Sequence, residues 1–131
     1  WIGVGARHEP EAVNGVSHLL EHMVFKGTKS RSPRAIAEEI EAVGGHMNAY
    51  TAREQTAYYA KMLKDDLGLA VDVIADLVQH ATLDPEELER ERHVVIQEIH
   101  QLYDTPDDVV FENFQATAFP DQALDAHLST R

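Results

Sequence analysis

Apolar positions along the 131-residue chain recur at two spacings, and the change from one to the other lays out its elements. The stretches HMNAYTA and QTAYYAKML alternate apolar and polar positions, are rich in aromatic and small residues, and flank the charged pair Arg53-Glu54. They predict a strand pair. On either side of them the spacing is helical. Residues 16–26 read as an apolar helix that follows the breaker Asn14-Gly15. RSPRAIAEEIEAVGG predicts a punctuated helix, with Ser32 as N-cap, Pro33 at the first helical position and Gly44-Gly45 as the stop. DLGLAVDVIADLVQHA spaces Leu67, Val71, Ile74 and Leu77 as one helical face. Asp84-Pro85 caps a long helix reaching roughly Tyr103, with Glu87 placed to complete a capping box, and Thr105-Pro106 opens another through about Ala118. Residues 1–7, WIGVGAR, predict a strand that begins with no turn before it. This order gives an α+β fold (or an α/β layer), with helices packed on one face of a mixed or antiparallel sheet, and the abrupt first strand suggests that the sheet is incomplete.

Composition narrows the function classes. A formal charge of −12 argues against a nucleic-acid partner, because a phosphate backbone demands the opposite field. The same charge would draw basic partners, or simply keep the protein soluble. With no cysteine, disulfides and thiolate metal sites are excluded, so a metal would rest on His, Asp or Glu. No stretch approaches the ~18 uninterrupted apolar residues of a membrane helix, so no membrane segment is expected. The sequence opens on Trp1 rather than Met and leaves the compartment open. A bacterial cytoplasm is expected, with the periplasm and the mitochondrial matrix as alternatives.

The candidate chemistry sits in HLLEHMVF, residues 18–25. At about 100° of rotation per residue, His18 and His22 lie about 40° apart, one turn from each other on one face. That spacing lets two imidazoles reach one tetrahedral ion. Glu21 lies about 60° to the other side of His18, on the same broad polar face, while Leu19, Leu20, Met23 and Val24 fall on the opposite arc. An ordinary amphipathic helix with two solvated histidines would read the same way, so the motif alone does not decide.

A zinc site needs a third protein ligand. His8, His46, His80, His93, His100 and many carboxylates are candidates. In ELERERHVVIQEIHQLY, Glu98 is flanked on its own face by Val94, Val95, Ile99 and Leu102, which predicts that this face turns inward. A carboxylate there is costly unless a cation or an arginine neutralises it. Glu91 lies two turns earlier and only about 20° away, so it shares that inward face, but it is about 10 Å along the axis, too far for both to hold one ion. Its ordinary reading is a surface or salt-bridging residue, with Arg53, Arg90 or Arg92 as partner. His93 and His100 point to the far side.

These residues together resemble a known family. H-x-x-E-H is the inverse of the thermolysin-type motif and marks the inverzincins. The segments Gly5-Ala6-Arg7-His8-Glu9, GVSHLLEHMVFKGT, GGHMNAYTAREQTAYYAKMLKDDL and ERERHVVIQEI are similar, in order and spacing, to the M16 zinc metallopeptidases, nearest their processing-peptidase-like branch. The resemblance covers roughly residues 3–120. It implies zinc (Zn2+, one per chain) bound by His18, His22 and Glu98, with Glu21 as general base and Glu91 supporting the site without being a primary ligand. It implies that Asn48, Ala49 and Tyr50 lie on an edge strand that pairs with extended peptide substrate. It implies hydrolysis of peptides or presequence-like segments by zinc-activated water, with a second M16 half-domain or subunit, such as a homodimer partner, across the site.

On this reading residues 1–131 form a single partial M16 N-terminal domain, lacking the rest of its half and the partner half. After Phe119-Pro120-Asp121-Gln122-Ala123-Leu124, the segment Asp125–Arg131 departs from the family pattern. A non-catalytic zinc-binding remnant, or an assembly or scaffold homologue, is the alternative function.

Overall fold

A computed structural model describes residues 1–119; the departing segment Asp125–Arg131 lies outside them. Five helices and one hairpin follow in the order α1 (Val16–Val24), α2 (Pro33–Ala42), β1 (His46–Thr51), β2 (Thr56–Lys61), α3 (Leu67–His80), α4 (Pro85–Asp104) and α5 (Pro106–Ala118). The fold is α+β, as expected. Among the described residues no helix is long and apolar enough to cross a membrane.

The helix boundaries follow local chemistry. Ser32 Oγ accepts the Ala35 N–H at 3.2 Å and Pro33 opens α2, a cap that contributes about 1 kcal/mol. Beyond its C-terminus Gly44 takes φ 68°, a left-handed conformation that glycine adopts without steric cost. Asp84 Oδ1 accepts the Glu86 and Glu87 amides at the start of α4. The Glu87 carboxylate engages Arg90.

β1 and β2 pair antiparallel, with Asn48 opposite Tyr59, Ala49 opposite Tyr58 and Tyr50 opposite Ala57. Pleating puts Met47, Ala49 and Thr51 on the helix side of β1 and leaves His46, Asn48 and Tyr50 exposed. The strand expected over residues 1–7 is reduced to a single bridge between Ile2 and Thr56. Gly5 explains the rest. It backs directly against the hairpin turn, where an added Cβ would lie 2.1 Å from the Ala52 carbonyl oxygen. The Ala6 and Arg7 amides then donate to the Ala52 and Arg53 carbonyls, and the chain turns through a short 3₁₀ segment, Ala6–His8.

Val24, Ile36, Ile40, Val73 and Leu77 form the core, with Phe25, Met47, Tyr58, Met62, Leu69 and Ala81 packed around them. Each such aliphatic side chain stabilises the fold by about 1.5–3 kcal/mol when buried. On α3 the buried stripe is Ala70, Val73 and Leu77. Leu67 and Val71 of the expected face are each 62% exposed, because α2 and β2 cover the neighbouring stripe instead. Arg31 ties the α1–α2 connection to α2 and α3, bonding Glu39, Asp72 and Asp76. Helix α4 packs against α1, and α5 contacts α4. The packing of α1 against α4 beside β1 places the site.

Candidate metal centre

Helix α1 buries Met23 and Val24 and turns His18, Glu21 and His22 toward α4. Leu20, expected on the core arc, is exposed. From α4, Glu98 enters the same space. The His18 and His22 Nε2 atoms are 3.2 Å apart. Glu98 Oε2 lies 3.5 Å from the first and 3.4 Å from the second. The three atoms thus form a nearly equilateral triangle. Two ligands of a tetrahedral zinc, each about 2.0–2.1 Å from the ion, stand about 3.3–3.4 Å apart. The carboxylate-to-imidazole distances are also longer than the roughly 2.7–2.9 Å of a direct charge-assisted hydrogen bond. The donor set therefore fits a shared divalent ion better than it fits a mutual hydrogen-bond network. Among the described residues this is the one cluster of three such side chains.

Of the two glutamates that periodicity places on one inward face, only Glu91 is buried. The Glu91 side chain is 8% exposed, whereas that of Glu98 is 45% exposed. Of the apolar residues flanking Glu98, Val95 is buried, Ile99 and Leu102 are half-buried and Val94 is exposed. Glu98 instead stands at the rim of a cleft of about 280 Å³ lined by His18, Glu21, Tyr50, Thr51, Glu98, Ile99 and Leu102.

The buried Glu91 holds His22. Its Oε2 lies 3.1 Å from His22 Nδ1, and its Oε1 lies 2.6 Å from Lys26 Nζ. An ionised carboxylate only accepts, so the network assigns the hydrogen to Nδ1 and leaves the Nε2 lone pair for the triangle. Burial pushes the Glu91 carboxyl upward, but the bonds and charges of Lys26 and His22 outweigh it and hold the group below its ordinary value. None of the arginines expected to pair with Glu91 does so: Lys26 takes that place, while Arg53 bonds Glu112 and Arg90 bonds Glu86 and Glu87. Lys26 lies one turn beyond His22, and that spacing was the signal available in the sequence. His93 and His100 are exposed, as expected.

Glu21 lines the cleft, and its Oε2 is buried with no hydrogen-bond partner among the described residues. The Tyr58 hydroxyl is raised above its ordinary pKa by burial and by the Glu21 charge. On β1, the residues expected at the edge divide by the geometry of the ladder. Ile2 takes both the N–H and the C=O of Thr56, so these face away from β1. Antiparallel pairing alternates, which directs the backbone groups of Met47, Ala49 and Thr51 to the side of β1 away from β2. Asn48 and Tyr50 spend theirs on β2. At that outer side the Ala49 N–H bonds the Asn48 side-chain oxygen at 2.8 Å.

Comparison with known proteins gives the family. Residues 1–130 match the Insulinase (Peptidase family M16) family. The chain belongs to the M16 peptidase family. The match runs past Leu124 into the segment expected to depart from the family pattern. Over 124 residues the M16 chain is 48% identical to the mitochondrial-processing peptidase subunit beta of Blastocladiella emersonii, covering 95% of this chain and 27% of that protein. It is 46% identical to the uncharacterized zinc protease YmxG of Bacillus subtilis, covering 95% of this chain and 30% of that protein. It is 49% identical to the human mitochondrial-processing peptidase subunit beta, covering 95% of this chain and 25% of that protein. The M16 chain thus spans between about a quarter and a third of the length of these relatives.

Proposed function

We propose that this chain forms the zinc-binding part of an M16-type metalloendopeptidase that cleaves peptides or presequence-like segments. The triangle of His18 Nε2, His22 Nε2 and Glu98 Oε2, with sides of 3.2, 3.4 and 3.5 Å, carries the reading. Similarity to a protein named as a zinc protease supports the choice of metal.

His18, His22 and Glu98 would hold the ion. Two neutral imidazoles and one carboxylate leave a divalent ion with net positive charge, and Glu91 keeps the His22 lone pair aimed at it. Zinc held there supplies Lewis acidity, making a water acidic near neutral pH and polarising a scissile carbonyl. Glu21 accepts the attacking water's proton and passes it to the leaving amine, a role that suits a buried carboxylate oxygen with no other partner in the cleft. Peptide runs extended along the outer side of β1, where Ala49 offers backbone groups beside Asn48 and Tyr50. A second M16 half-domain or subunit completes the chamber across the cleft.

Glu21→Gln tests the assignment in a polypeptide carrying this chain together with the further length of its relatives. Retained zinc and a fall in kcat of at least 10²-fold support it. Cleavage of peptides at the original rate by the variant overturns it.

A further inference from the structure

Helix α1 begins at a position that cannot cap itself. Gly15 precedes it with φ 93° and ψ −4°, left-handed rather than the extended conformation of an ordinary N-cap, and it carries no side chain. The first backbone N–H groups of a helix have no partner within it, and α1 has only nine residues over which to absorb that cost. Glu9 supplies the missing acceptor from outside the helix. Its Oε2 accepts the Gly15 N–H at 2.5 Å and its Oε1 accepts the Ser17 N–H at 2.7 Å. A carboxylate at this end also complements the positive end of the helix dipole.

The clamp acts on the peptide units immediately before His18. His22 is oriented through its own ring by Glu91, but His18 Nδ1 is buried with no hydrogen-bond partner among the described residues. The His18 ring therefore depends on its backbone for placement. That backbone is gripped by Glu9 at the Ser17 amide and by Thr51 Oγ1 at the Ser17 carbonyl, 3.4 Å away. Glu9 is itself anchored, since Ala6 and Arg7 bond the hairpin turn and Arg7 pairs with Glu54. One chain of contacts thus links β1, the segment preceding α1 and the first metal-facing histidine.

We infer that Glu9 is a positioning residue for the zinc site, fixing His18 through the backbone as Glu91 fixes His22 through the ring. The inference rests on the zinc reading above. It is tested by competitive zinc titration of the 131-residue chain, with hydrogen exchange at the Gly15 and Ser17 amides measured in parallel. Glu9→Ala should speed exchange at both amides and weaken zinc binding roughly tenfold, the lower end of the range for groups that orient ligands. Glu9→Gln, which keeps one acceptor oxygen, should recover part of the affinity, and it serves as the variant of record if Glu9→Ala does not fold. Ser32→Ala, which removes the cap of α2 far from the site, should lower Tm without moving zinc affinity. Zinc affinity within twofold of the parent in Glu9→Ala, or in Glu9→Gln where Glu9→Ala does not fold, overturns the inference while leaving the zinc reading intact. A parent chain that binds no zinc overturns the zinc reading, and the inference with it.

Discussion

His22 donates from Nδ1 to the Glu91 carboxylate at 3.1 Å, and Glu91 is more deeply buried than Glu98 at the rim of the cleft. Replacing Glu91 with Leu removes the group that fixes the His22 ring. Zinc affinity should fall by roughly 10–100-fold. Competition against a chelating dye measures it, and unchanged affinity would show that His22 is held by its rotamer alone.

Lys26 is the cation that makes the buried Glu91 carboxylate tolerable, with its Nζ 2.6 Å from Oε1. Lys26→Met leaves that charge with the His22 bond only. Stability should drop by roughly 1–3 kcal/mol, the cost of under-satisfying a buried charged group. Thermal unfolding of the metal-free chain reads this directly, and the double variant with Glu91→Leu should lose less than the sum of the two single losses.

Acid should weaken the link between α3 and the loop after α1. Asp76 accepts hydrogen bonds from Ser30, Thr28 and Arg31, which hold its carboxyl well below the usual carboxylate range. Arg31, facing Asp76, Asp72 and Glu39, is pushed in the opposite direction, above its ordinary value. A depressed carboxyl stabilises the folded state fully above its unfolded pKa of about 3.9. That contribution is lost as pH falls from there through the folded value. Tm of the parent should therefore fall more steeply below about pH 4 than Tm of Asp76→Asn. Parallel pH profiles for the two chains would contradict this.

Gly5 is required for space. A Cβ there would meet the Ala52 carbonyl oxygen at 2.1 Å and the Gln55 amide nitrogen at 2.8 Å, both backbone atoms that cannot swing aside. Gly5→Ala should destabilise the fold by about 2 kcal/mol and loosen the segment that carries Glu9. Denaturant unfolding, with amide exchange at Ala6 and Arg7, checks both effects.

Much of this architecture is legible in the sequence because it is written in local chemistry. Ser32, Pro33 and Gly44 bound α2, Asp84 and Pro85 open α4, and the alternation around Arg53-Glu54 gives the hairpin. The i, i+4 spacing of His18 and His22 places both rings on one face without any tertiary knowledge. What local pattern misreads depends on what packs against a helix. Glu98 sits among apolar residues in sequence, yet its part of α4 borders the cleft, whereas Glu91 lies where α4 packs against α1. Spacing on α4 leaves the third ligand open, and only the family resemblance singles out Glu98 among the carboxylates. Glu9 is not legible as a cap because it lies six residues before the helix end it serves, beyond the reach of any local capping pattern. Residues 1–7 looked like a strand, but the close approach of Gly5 to the hairpin turn leaves only Ile2 in the ladder.

Zinc stoichiometry of the purified chain, set beside that of His22→Ala and Glu98→Ala, tests the central claim most directly. One zinc per chain in the parent, and its loss or a large fall in affinity in both variants, is the expected result. No zinc in the parent, or zinc bound equally well by the variants, would contradict the assignment of His18, His22 and Glu98 as the metal centre.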